Sequence, residues 1–258
     1  MIALAQVLGF AVVPAGVAFA GAVAAAIRPP SPRLRTVIQH FAAGVVAAVA
    51  AAELLPDAIS QHNPLALALG FALGTGAMLA ISKVMEQFES KEDDDAGRAH
   101  SLSASEAMAE AQRTSGPEGM LGAVGVDVLI DGLLLGLAFL AGQKAGLLLT
   151  IGFSLEMLSL GLATCTTCRK YRWSVAKSIA SVLGVGALFV AGAMIAVSLL
   201  HNLNGAALGG VLAFGLAALL YLVTEELLVE AHEVRETRAT TAMFFVGFLV
   251  LLMIDVTN

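Results

Sequence analysis

Eight runs of predominantly apolar residues, each long enough to cross a lipid bilayer, divide this chain of 258 residues. A spanning helix needs about 20 such residues, because a rise of about 1.5 Å per residue must cover a hydrocarbon core of about 30 Å. The runs fall at approximately 3–26, 36–58, 64–87, 119–142, 144–167, 175–200, 205–231 and 239–256. The expected fold is therefore all-α, a single polytopic transmembrane domain over residues 1–258 with eight transmembrane helices. The first run has no basic stretch before it and exceeds a signal-peptide core in length, so it counts as a span although Ala18-Phe19-Ala20 mimics a cleavage site. Composition agrees: 58% of residues are apolar and 13% charged, against roughly 45–50% and about 25% in soluble domains. A net charge of −6 argues against a nucleic-acid partner, which would call for a basic surface. Two cysteines, Cys165 and Cys168, cannot supply a disulfide framework.

Basic residues in short loops are retained on the cytoplasmic side. With the N-terminus outside, thirteen of the fourteen Lys and Arg fall inside: Arg28, Arg33, Arg35, Lys83, Lys91, Arg98, Arg113, Arg169, Lys170, Arg172, Lys177, Arg235 and Arg238. Only Lys144, in the tight Gly142-Gln143-Lys144 turn, is left outside. Both termini are accordingly expected to be external. The long polar segment 88–118 reads as a flexible cytoplasmic linker between a three-span and a five-span block, since it lacks the apolar content for a core. A regulatory loop, with the acidic run 91–95 and His100 sensing a cation, is the other reading.

Ionisable residues far from span ends are the informative ones, because an Asp at the centre of a helix costs roughly 2.5–3.5 kcal/mol on insertion. In span four, Asp127 and Asp131 stand one turn apart on a shared face, and span five carries Glu156 near its middle. A tight turn makes the two spans antiparallel neighbours, so the three acids are expected at one depth. No Lys, Arg or His is expected there, which leaves protons or a metal ion as the counter-charge. The bland alternative has the acids protonated and bonded to hydroxyls such as Ser154 and Ser159. Carboxylate oxygens favour Mn²⁺, Fe²⁺, Mg²⁺ or Ca²⁺ and permit zinc. Glu53 and Asp57 near the outer end of span two are candidate entry residues. Glu226, Glu230, His232 and Glu233 near the inner end of span seven are candidate release residues, although helix ends also carry charge for solubility.

These residues resemble the ZIP (Zrt-, Irt-like protein) family of divalent metal transporters. The resemblance rests on eight spans with a long loop after the third, on His40-Phe41-Ala42-Ala43-Gly44 followed by Glu53-Leu54-Leu55-Pro56-Asp57, and on the spacing in Asp127-Val128-Leu129-Ile130-Asp131-Gly132. Asp127 and Val128 stand where that family has His and Asn, Glu156 is the sole ligand kept in span five, and span six reads Ser181-Val182-Leu183-Gly184-Val185-Gly186 in place of a Glu-Pro pair. The resemblance implies a 3+5 arrangement, a path enclosed by spans two, four, five and seven, zinc, manganese, iron or cadmium as cargo, no organic cofactor, and a homodimer. A prokaryotic inner membrane is the expected location.

The expected function is therefore carriage of a divalent cation, bound at Asp127, Asp131 and Glu156, and not catalysis. Two alternatives remain: a transport-inactive sensor or partner subunit of the same fold, and, more distantly, an intramembrane aspartyl protease, whose paired acids would however need separate helices. Cys165 and Cys168 read as ordinary reduced thiols or as a metal-release or palmitoylation pair. His40 reads as a packing residue rather than a ligand, and His62 and His201 as solvated. Tyr171, Arg172 and Trp173 read as an interfacial anchor, and Pro29, Pro30 and Pro32 as a stiff loop.

Overall fold

The computed structural model describes residues 4–28, 31–90, 116–203, 205–227 and 238–257. Eight of its helices are long and apolar enough to cross a membrane, and among the described residues there is no strand. We label them α1 (Leu4–Ile27), α2 (Pro32–Val49, then π-helix Ala50–Leu54, then α-helix Leu55–Ser60), α3 (Pro64–Ser90), α4 (Gly116–Ala141), α5 (Gln143–Lys170), α6 (Val175–Leu200), α7 (Gly205–Tyr221, then π-helix Leu222–Leu227) and α8 (Arg238–Thr257).

Local chemistry sets the starts. Ser31 caps α2, its Oγ accepting the Leu34 N–H at 3.3 Å, and Pro32 takes the first turn, where its missing N–H costs nothing. Pro32 thus opens the helix instead of stiffening a loop, and α2 begins four residues before the expected 36. Asn63 and Ser174 cap α3 and α6 in the same way, accepting from Ala66 at 2.9 Å and Lys177 at 3.2 Å. The π segment of α2 ends just before Pro56. A proline ring collides with the carbonyl four residues back, here Ala52, and widening that turn relieves the clash. Helices α3 and α4 reach into the segment expected to be a linker at 88–90 and 116–118; residues 91–115, with the acidic run and His100, lie outside the described residues.

Packing sorts the helices into two groups. The first comprises α1, α4, α5 and α6, and the second α2, α3, α7 and α8; α2 against α5 and α4 against α7 join them. At the centre α2, α5, α4 and α7 form a ring of alternating direction, each touching the next. Each ring helix is also clamped to one outer helix that runs parallel to it, through a reciprocal pair of glycines. A Cβ on Gly44 of α2 would overlap the Phe244 carbonyl of α8, and one on Gly247 the Phe41 carbonyl of α2. Gly132 and Gly192 do the same for α4 and α6, Gly161 and Gly21 for α5 and α1, and Gly70 and Gly210 bring α7 and α3 together. Lipid tails are as apolar as leucine, so helices in a membrane associate through such close backbone contact more than through burial.

The start of α1 and the end of α8 lie at the same end of the bundle. Phe10 of α1 stacks on Phe139 of α4 at 5.4 Å, and Asp255 of α8 reaches Lys144 at the start of α5. This is called the terminal end below.

Candidate functional site

Among the described residues Asp131 is the most deeply buried carboxylate on the ring, with 1% of its surface exposed. Gly132, the next residue, lies backbone to backbone against Phe189 of α6, and Leu129 and Gly136 continue that contact. Asp131 and Asp127 are turned away from this stripe, toward α5 and α7, and Asp127 is half-buried. On α5, Gly152 packs against Val45 and Val46 of α2, while Leu158 and Gly161 face α1. Glu156, half-buried, falls between those contacts, on the side of α5 that turns into the ring.

Depth follows from register. Gly146 lies against Phe139 across the α4–α5 turn. Ten residues further along each antiparallel helix, Glu156 comes level with Leu129, midway between Asp127 and Asp131. The three acids thus share a depth on adjoining ring helices. They are not gathered into a coordination sphere: among the described residues, no three His, Cys, Asp or Glu side chains stand close enough to hold a metal ion.

The same register revises the expectation that no basic residue shares this depth. Gly152 against Val45 and Val46 brings residues 41 and 42 level with Glu156, so buried His40 lies close to that level. It stands one turn before Gly44, on the face packed against α8, and its Nδ1–H donates to the Thr36 carbonyl at 2.9 Å. The hydroxyls expected to bind the acids behave differently. Ser154 gives its hydrogen to the Thr150 carbonyl at 2.6 Å, and Thr150 gives its own to Gly146 at 2.7 Å. Ser159 is 3% exposed, and its Oγ has no hydrogen-bond partner among the described residues.

Both candidate entry acids reach the α4–α5 turn. Glu53, in the π segment of α2, lies 3.5 Å from Lys144, and the Asp57 carboxylate approaches Gly142. The sequence reading did not single out Asp255, which meets Lys144 at 2.6 Å. Its one signal was that it is the lone acid of the last span, as Lys144 is the lone outer base. Of the candidate release residues, Glu226 has its backbone in the π segment of α7, whereas Glu230, His232 and Glu233 lie outside the described residues. In α7 a π segment with a wider turn, Leu222–Leu227, follows Tyr221, and the remainder of the expected span, 228–231, lies outside the described residues.

Cys165 and Cys168 are free and fully buried. Nearby, Arg169 donates to the Ala26 carbonyl at 2.6 Å, satisfying the end of α1. Lys177 sits 3.3 Å above the Trp173 ring, and His62 and His201 are exposed. No protein-family profile matches the chain, and no curated protein matches it either.

Proposed function

We propose that this chain carries a divalent cation across a membrane, as a divergent protein of the ZIP type with a carboxylate site in place of the family's histidines. The observation that carries the proposal is Asp131, a buried carboxylate in the middle of a membrane-spanning helix, with Glu156 level with it on the adjoining ring helix. An acid in that position is costly to insert, and Ser154, one of the hydroxyls expected to bond the acids, gives its hydrogen to its own backbone. In this reading a cation binds between α4 and α5 at these carboxylates, with Asp127 one turn along the same helix. Zinc, manganese, iron and cadmium are the cargo this reading admits. The distribution of basic residues supports an external terminal end, with Glu53 and Asp57 then on the entry side, and a prokaryotic inner membrane is the location that goes with this reading. The two four-helix groups would be the three-span and five-span blocks interleaved, since α1 joins the later helices and α2 and α3 the remainder.

The test is metal-stimulated flux into proteoliposomes for the native protein and Asp131→Asn, across Zn²⁺, Mn²⁺, Fe²⁺, Cd²⁺ and Mg²⁺. Flux in the native protein and its loss in the variant is the expected result. Equal flux in both would overturn the assignment of Asp131. A second reading is favoured by the absence of three gathered ligands among the described residues: a protein of the same fold that binds the cation without moving it. It predicts equilibrium binding of the cation without flux.

A further inference from the structure

Lys144 and Asp255 each stand at the wrong end of their own helix. A helix N-terminus carries partial positive charge and a C-terminus partial negative charge, so a lysine in the first turn of α5 and an aspartate in the last turn of α8 both oppose the local dipole. Their stabilisation has to come from each other. Lys144 Nζ lies 2.6 Å from Asp255 Oδ1 and 3.5 Å from Glu53 Oε1, and donates to the Asp255 carbonyl at 3.0 Å. The Glu53 and Asp255 side chains are only 15% and 19% exposed.

The cluster crosses the boundary between the two groups. Lys144 belongs to the first, while Glu53 and Asp255 belong to the second. By contrast, Lys177 and Glu118, 3.6 Å apart, join α6 to α4 inside the first group. Apolar contacts make up much of the seam, with Val45 and Val46 on Gly152 and Leu137 of α4 on Gly215 of α7, while the acids of the ring lie deeper in it. Apolar surfaces that part in a membrane are met by equally apolar lipid, so such a seam has little to hold it shut. A partly shielded ion pair between the groups supplies the direction that the seam lacks.

We propose that Lys144, Glu53 and Asp255 form a latch that holds the two four-helix groups closed on each other at the terminal end, and that this end of the ring opens when the latch is released. The latch rests on the transport reading for its purpose, because it bars the entry side of the path to Asp131, but its test needs neither cation nor flux. Leu137→Cys, in a Cys165→Ala/Cys168→Ala background, places a thiol in the seam at a position 4% exposed in the closed bundle. Labelling by a membrane-impermeant maleimide in nanodiscs reads the opening. Lys144→Met should speed labelling about tenfold, equivalent to a shift of about 1.4 kcal/mol toward the open form. Glu53→Gln with Asp255→Asn should do the same, and carries the expectation alone should Lys144→Met fail to insert. The exchange Lys144→Asp with Asp255→Lys should return the slow rate. Unchanged labelling in the neutralised variants would overturn the latch while leaving Asp131-dependent flux to stand or fall by itself.

Discussion

At the scale of single residues, Asp131 carries the proposed function: an acid 1% exposed in the middle of a span is costly to insert. Asp131→Asn, which keeps the size and the hydrogen-bonding capacity of the side chain, is expected to leave the thermal midpoint in detergent nearly unchanged while abolishing cation uptake. A fall in the midpoint together with uptake would instead assign Asp131 to holding helices together. Cys165 and Cys168, both fully buried, are expected to resist thiol reagents in the native bundle and to react once it is unfolded, as thiol counting with and without denaturant would show. That Asp127, Asp131 and Glu156 fall at one depth was legible in the sequence, because they are charges well inside apolar runs joined by a tight turn. Asp255 was not, since an acid at the end of a span looks like ordinary solubility. His40 was legible as a packing residue, but its depth was not, because α2 starts earlier than its apolar run does.

At the scale of helices, some glycines meet a neighbour's backbone, some a neighbour's side chain, and some open space. Gly132 belongs to the first kind and Gly184 to the last. Gly132→Val should force α4 and α6 apart and destabilise the protein by about 1–3 kcal/mol or more, and should cut flux by displacing Asp131 beside it. Gly184→Ala should leave both unchanged. Thermal midpoints and flux for the pair check this. Eight helices long and apolar enough to span were legible from length and hydropathy alone, because the bilayer imposes both. The π segments of α2 and α7 were not, since nothing in Ala50-Ala51-Ala52-Glu53-Leu54 favours a wider turn until Pro56 and the packing of the ring are considered.

At the scale of the whole molecule, the proposed function ties uptake to acidity. A carboxylate must lose its proton before it can bind a metal, so protons and cations compete for Asp131 and Glu156. Lowering the pH on both sides of a proteoliposome should weaken uptake by raising the half-saturating cation concentration. An effect on the maximal rate alone would place the titration elsewhere. The grouping of helices was beyond sequence reading. Local order made α4 and α5 neighbours, and they are, but the strongest pairings join α1 to α5, α2 to α8, α3 to α7 and α4 to α6, none adjacent in the chain. Periodicity marks which face is apolar and says nothing of which distant apolar face will meet it.

Those pairings also impose a timetable on synthesis. Three of them nest like brackets: α4 with α6 lies within α3 with α7, which lies within α2 with α8. A ribosome delivering helices in order completes the innermost pair first and the outermost last. The Gly44 face of α2 must therefore wait, uncovered, through the insertion of five further helices until Gly247 of α8 arrives to cover it. A chain stopped short of α8 leaves that face bare in the bilayer, which makes the last twenty residues of the described fold its point of commitment.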